Sequence, residues 1–133
     1  MYLDYFGLDR FPFTIAPDPE FLFPSPGHQE ALAHLQYALT GHGGLICLTG
    51  EVGTGKTTLC RAFLASVPSE IRTAYIFNPQ LSALELLQNL CSELHIPFER
   101  QQSWQELYAS LNESLLQSYA SGQRVICVID EAQ

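Results

Sequence analysis

The most restrictive stretch of this chain is Leu45-Ile46-Cys47-Leu48-Thr49 followed by Gly50-Glu51-Val52-Gly53-Thr54-Gly55-Lys56-Thr57. The first five residues form a short continuous apolar run, as expected of a strand buried on both faces. The next eight satisfy G-x-x-x-x-G-K-[ST], and a helix is predicted over residues 56–66. Glycines tolerate positive φ and carry no side chain, so such a loop can wrap closely around phosphate oxygens. Backbone N–H groups of residues 52–58 are then expected to face inward as an anion nest, helped by the helix N-terminus. Gly50, Glu51, Val52, Gly53, Thr54, Gly55, Lys56, Thr57 and Thr58 are the candidate nucleotide-binding residues. Lys56 is expected to reach the β- and γ-phosphates of ATP and Thr57 to ligate magnesium, with Thr58 near the α-phosphate. Lys56 is the only lysine in the chain. The side chain of Glu51 reads as solvent-facing.

A second element sits at the far end. Val125-Ile126-Cys127-Val128-Ile129 is another buried-strand pattern and runs directly into Asp130-Glu131. At the carboxyl edge of a parallel sheet, such an acidic pair lies beside a phosphate loop. Asp130 is the second candidate magnesium ligand, acting mainly through the water shell. Glu131 is the candidate general base for an attacking water. Glutamate directly after aspartate points to phosphate-loop enzymes that hydrolyse ATP on a catalytic glutamate. Lys56 and Glu131 are therefore the candidate catalytic residues.

Between these elements the pattern alternates. Residues 28–40 carry Ala31, Leu32, Leu35, Ala38 and Leu39 at helical spacing, stopped by Gly41, Gly43 and Gly44. Thr73–Phe77 reads as a strand closed by Asn78-Pro79. Ser82 with Glu85, and Ser103 with Glu106, form capping boxes for helices to about Leu94 and Ala120. The apolar stripe Trp104, Leu107, Leu111, Leu115 and Tyr119 is expected to be core. Strands alternating with helices predict an α/β fold, a phosphate-loop NTPase with a parallel sheet and flanking helices. Residues 1–27 hold many aromatics and prolines and are expected to form an irregular arm packed on the domain. Residues 28–133 constitute the ATPase domain in this reading.

Composition narrows the partners. Hydrophobic residues make up 47% of the 133 positions and charged residues 15%, which suits a packed domain rather than a disordered one. A net charge of -8 argues against a broad nucleic-acid footprint. Cys47, Cys60, Cys91 and Cys127 have apolar neighbours and no C-x-x-C pairing, so buried free thiols are expected. The start lacks a signal-peptide pattern, and no apolar run approaches the ~20 residues of a membrane span. The expectation is a soluble, cytoplasmic chain. His28, His34, His42 and His95 have no metal-ligand spacing. His28 reads as a packed or exposed histidine, with capping or contact to the nucleotide base as the alternative.

The arm and loop together carry a family resemblance. Met1–Leu8, Pro12–Pro19, Phe21-Leu22, His28 with Glu30–Leu35, Leu48–Arg61, Asn78-Pro79 and Ile129–Gln133 resemble the general secretion pathway protein A (ExeA-like) ATPases. The resemblance implies an AAA+ ATPase module that assists secretin assembly in type II secretion, with related members serving pilus biogenesis or polysaccharide export. It implies self-association through AAA+ interfaces. In longer members it also implies an inner-membrane anchor and a peptidoglycan-binding region. By the same analogy the arm over Phe11–Phe23 would help form the adenine pocket.

An AAA+ module continues past the acidic pair with a sensor strand, an arginine finger and a helical lid. The chain ends at Gln133, so the expectation is a fold truncated after the Walker B strand, with either a gap where the sensor strand would lie or a non-native pairing of the two strands beside it. Such a chain would bind nucleotide but turn over little, since an arginine finger alone is worth ~10³–10⁵ in rate. Two other readings exist. An AAA+ regulator of DNA transposition or replication loading shares the loop and acidic pair, and the net charge of -8 disfavours it. A non-catalytic interaction module, docking a partner through the aromatic arm, is opposed for the parent protein by the intact Gly55, Lys56, Thr57, Asp130 and Glu131, and stays open for this fragment, whose missing strand would expose unpaired edges.

Overall fold

The computed structural model describes residues 2–41, 44–77 and 82–133; Met1, His42, Gly43, Asn78 and Pro79, named above, lie outside them. The chain divides into two compact units, one up to Ala65 and one from Ser66 onward.

The first unit holds α1 (Tyr2–Phe6), α2 (Pro26–Tyr37) and α3 (Lys56–Ser66), with 3-10 turns at Pro19–Phe21 and Ala38–Thr40. Proline density limits regular structure in the arm to five- and three-residue pieces. The Asp18 side chain caps the first turn, accepting from the Glu20 amide at 3.0 Å. Arg10 pairs with Asp18 and Glu20 and lies 4.7 Å above the Phe21 ring. Arg61 on α3 donates to the Pro17 carbonyl at 3.2 Å, which ties the arm to the helix after the loop.

The arm aromatics are not buried as the sequence predicts. Tyr5, Phe6, Phe11, Phe13 and Phe23 are exposed, and among the described residues rings pair locally, Tyr2 on Phe11 and Tyr5 on Phe6. A core needs two facing layers, and elements this short enclose no ring between them. Helix α2 starts as its sequence dictates, with Ser25 as N-cap and Pro26 in the first turn. Gly41 at φ 99° ends the 3-10 turn that follows it.

Residues 45–49 also depart from expectation. They form no ladder, and Leu45 and Ile46 are exposed. A buried strand requires a hydrogen-bonding neighbour on each side, and among the described residues none pairs with this run.

The second unit contains the sheet. β1 (Arg72–Phe77) pairs in parallel with β2 (Val125–Asp130), in register from Arg72↔Val125 to Phe77↔Asp130. Parallel neighbours need a long crossover, supplied here by α4 (Ala83–Glu93) and α5 (Trp104–Ala120). Both helices begin at the predicted capping boxes. The Ser82 hydroxyl accepts from the Glu85 amide at 3.2 Å, and the Glu85 carboxylate accepts from the Ser82 amide at 2.8 Å. Ser103 and Glu106 repeat the arrangement at 3.3 and 2.7 Å.

Ala74, Leu87, Cys91, Leu94, Leu107 and Leu111 form the core of this unit. Arg72 organises its polar end. The guanidinium donates to Ser114 Oγ at 2.9 Å, Ser118 Oγ at 2.8 Å and the Leu94 carbonyl at 2.6 Å. It thereby joins β1 to the C-terminus of α4 and to α5, where a cation also suits the helix dipole. The predicted α5 stripe is corrected by this clamp. Leu107, Leu111 and Ser118 are buried, whereas Trp104, Leu115 and Tyr119 are exposed. The column 107, 111, 114, 118 faces inward at helical spacing, so residues 115 and 119 turn about 100° away. Trp104 stacks on Tyr108 with ring centroids 5.2 Å apart.

The four cysteines are free thiols, but only Cys91 is buried; Cys60 is half-buried, and Cys47 and Cys127 are exposed. Cys47 belongs to the unpaired run, which explains its exposure. Burial pushes the Cys91 thiol up.

The capping boxes make stability depend on acid. Backbone and hydroxyl hydrogen bonds from Ser82 and Ser103 hold the Glu85 and Glu106 carboxyls below the usual glutamate value. A depressed folded value contributes stability above the unfolded value of about 4.3, and it is lost as pH falls through the folded value. We expect Glu85→Gln with Glu106→Gln to flatten the fall in stability below about pH 4.3, measured by urea unfolding across that range.

Candidate functional site

The loop predicted from sequence is formed within the first unit. Gly53 and Gly55 adopt φ of 79° and 87°, a region that L side chains rarely enter, so the loop geometry depends on glycine there. Gly50 is needed for closeness: a Cβ on it would meet Thr54 Oγ1 at 3.0 Å. The Thr54 hydroxyl donates to the Glu51 carbonyl at 2.8 Å, and its amide reaches the same carbonyl at 3.4 Å. Lys56 opens α3 and curls back over the loop. Its Nζ donates to the Gly50 carbonyl at 2.8 Å and to the Glu51 carbonyl at 2.7 Å. The single lysine therefore closes a ring of loop backbone around an ammonium group.

The side chains of Glu51 and Val52 are exposed, as expected for Glu51, and Thr57 and Thr58 are half-buried in the first turn of α3. Leu59 and Phe63, one turn apart on α3, are buried and anchor the helix that begins at the loop. One contact was not legible in the motif. The ring of His28, half-buried at the start of α2, places Nε2 2.7 Å from the Thr54 carbonyl and Nδ1 2.6 Å from Ser25 Oγ. The same Ser25 oxygen accepts from the His28 amide at 3.3 Å. Serine at the N-cap three residues before a histidine was the available signal, but nothing local pairs it with Thr54, twenty-six residues on.

The acidic pair is organised within the second unit. Asp130 is the last residue of β2 and is buried at 8% exposure. The Tyr75 hydroxyl donates to Asp130 Oδ2 at 3.0 Å, and the Glu131 amide donates to Oδ1 at 2.9 Å. Register explains the first bond. Tyr75 lies opposite Val128, so its side chain shares a face with Val128 and Asp130, and a phenol spans that diagonal. Tyr75 was read from sequence only as strand filler. Its own amide donates to Glu93 Oε2 at 3.0 Å, which covers that position of the β1 edge with a carboxylate from α4.

Glu131 is exposed and left-handed, at φ 56°. For a residue with a side chain this conformation costs of order 1–3 kcal/mol and recurs at functional sites. The Gln133 amide donates to its carboxylate. The structure thus brings residues 50–58 together in one unit and Asp130 with Glu131 in the other.

Loss of the phenol hydroxyl should leave a buried carboxylate short of one donor. We expect Tyr75→Phe to lower unfolding free energy by roughly 1.5–3 kcal/mol, the range for a bond to a charged group. Urea unfolding at neutral pH reads it.

Comparison with known proteins gives a family. The family model described as AAA domain matches residues 39–133, which include the loop, both strands and the acidic pair. General secretion pathway protein A of Aeromonas hydrophila is 44% identical over 133 residues, the whole of this chain. The chain spans 24% of that relative's length. No solved structure matches. With its family model covering most of its length, including loop, strands and acidic pair, the chain belongs to the AAA domain family.

Proposed function

We propose that this chain binds ATP with magnesium through residues 50–58, and that it is the nucleotide-binding part of an ATPase of the secretion type. The observation that carries the reading is the Lys56 ammonium held by the Gly50 and Glu51 carbonyls inside a positive-φ glycine loop. That arrangement fits a polyphosphate. Phosphate oxygens are stronger acceptors for an ammonium than neutral carbonyls, so Lys56 can exchange one set for the other. The first turn of α3 offers backbone N–H groups with no partner inside the helix, aligned with its dipole. Family membership supports nucleotide binding, and the name of the similar Aeromonas hydrophila protein supports the secretion assignment.

In this reading Thr57 and Asp130 are each proposed as a magnesium ligand, and the ion would supply charge that neutralises the phosphates. The Asp130 carboxylate is already oriented by Tyr75 and the Glu131 amide. Glu131 takes a proton from the attacking water as its oxygen bonds to the terminal phosphorus and the bond from that phosphorus to the ADP oxygen breaks, giving ADP and phosphate. Its exposure leaves it able to receive a water. Lys56 stabilises the charge that accumulates on the transferring group. The full-length protein self-associates and acts on secretion or export machinery, and contacts to peptidoglycan belong to its other regions.

Two measurements test the proposal. Magnesium-ATP affinity by calorimetry should fall at least about tenfold in Lys56→Ala, since a charge-assisted bond is worth roughly 1.5–3 kcal/mol; equal affinity overturns the reading. In the full-length protein, Glu131→Gln should retain ATP and lose on the order of 10²-fold or more in turnover, as for removal of a general base. Undiminished turnover removes Glu131 from that role.

A further inference from the structure

The contact between His28 and the loop reaches further than a packing interaction. The Thr54 carbonyl can only accept, so the 2.7 Å contact requires His28 Nε2 to carry its proton. In the neutral ring Nδ1 is then the acceptor, and Ser25 Oγ donates to it across 2.6 Å. The Ser25 oxygen also accepts from the His28 amide, so it serves once as donor and once as acceptor. The tautomer is set by the partners.

What this holds is one peptide plane. Across a trans peptide the carbonyl of residue 54 and the N–H of residue 55 point in opposite directions, and no peptide among the described residues is cis. Anchoring the Thr54 carbonyl on His28 therefore turns the Gly55 N–H away from the ring. This plane benefits from an anchor. Its C-terminal residue is glycine at φ 87°, and glycine populates both signs of φ with little preference. Rotation of the plane would put a carbonyl where an amide had been and replace a donor to phosphate with a repelling acceptor. The fit is close: a Cβ on Gly55 would meet His28 Nε2 at 3.3 Å.

We infer that His28 is a positioning residue for phosphate binding, fixing the direction of the Thr54–Gly55 peptide from the N-terminus of α2. The inference rests on the nucleotide-binding reading above. It links the loop to the Ser25–His28 cap of α2, so the segment before the loop tunes the affinity of the loop.

The test compares His28→Leu, His28→Gln and His28→Asn with the unaltered chain. The readouts are magnesium-ATP affinity by calorimetry and the urea midpoint without nucleotide. Glutamine carries an amide nitrogen four bonds from Cα, as Nε2 is, whereas the asparagine nitrogen stops at the position of Nδ1. His28→Leu and His28→Asn are expected to bind about three- to tenfold more weakly, the size of one net hydrogen bond. His28→Gln is expected to bind within about twofold of the original, because the donor to Thr54 is restored. Equal affinity in the Gln and Asn variants overturns the inference, as does original affinity in all three. Should His28→Leu not fold, the Gln–Asn pair decides alone. Lys56→Ala separates the two levels. If it abolishes binding while the His28 series stays flat, only the positioning role fails. If it binds normally, the nucleotide reading fails first.

Discussion

A backbone that turns its N–H groups toward an anion must turn carbonyls elsewhere, and those carbonyls need partners. In this chain the carbonyls of the loop proposed to bind phosphate are met by side chains from both flanks. Lys56 takes the carbonyls of Gly50 and Glu51, the Thr54 hydroxyl adds a second bond to Glu51, and His28 takes the carbonyl of Thr54. The loop is therefore shaped before any ligand arrives, and the groups that shape it are cationic or donors. Preorganised donors lose little freedom when an anion replaces the carbonyls, which is what a phosphate site needs.

The second unit answers the same demand at the acidic pair. A buried carboxylate is costly unless it is hydrogen-bonded. Asp130 receives bonds from Tyr75 on the neighbouring strand and from the amide of Glu131. The parallel register is what allows this, since a slip of one residue would carry the phenol to the opposite face. Arg72 keeps that register in place from below, with its guanidinium shared among α4, α5 and the strand it belongs to. A clamp of this kind is satisfied by two serines on α5, and it decides which face of that helix is inward.

Much of this was legible without coordinates, and the reasons are local. Capping boxes at Ser82 and Ser103 act within four residues, so the starts of α4 and α5 matched their predicted places. The loop over residues 50–57 is likewise a contiguous pattern, and its Gly53 and Gly55 take positive φ. The misreadings share a cause. Trp104, Leu115 and Tyr119 were assigned to the core by polarity, but serines at 114 and 118 face inward because Arg72 needs acceptors. Leu45–Thr49 was assigned to a sheet by its apolar run, yet a ladder requires a partner strand, and none among the described residues pairs with it. The arm aromatics were assigned to the interior on the same ground of polarity and had no second layer to enter.

Sequence by itself determined the family, the loop, the helix starts and the strand leading into Asp130-Glu131, because each depends on residues adjacent in the chain. Tertiary structure decided which side chains hold those elements to their task. His28 meets Thr54 and Tyr75 meets Asp130 across 26 and 55 positions. Arg72 reaches Ser118 across 46. Such pairs have no signature in a local pattern, since hydrogen-bond partners are selected by proximity in the folded chain and any residue with a suitable donor at that point in space would read the same in sequence.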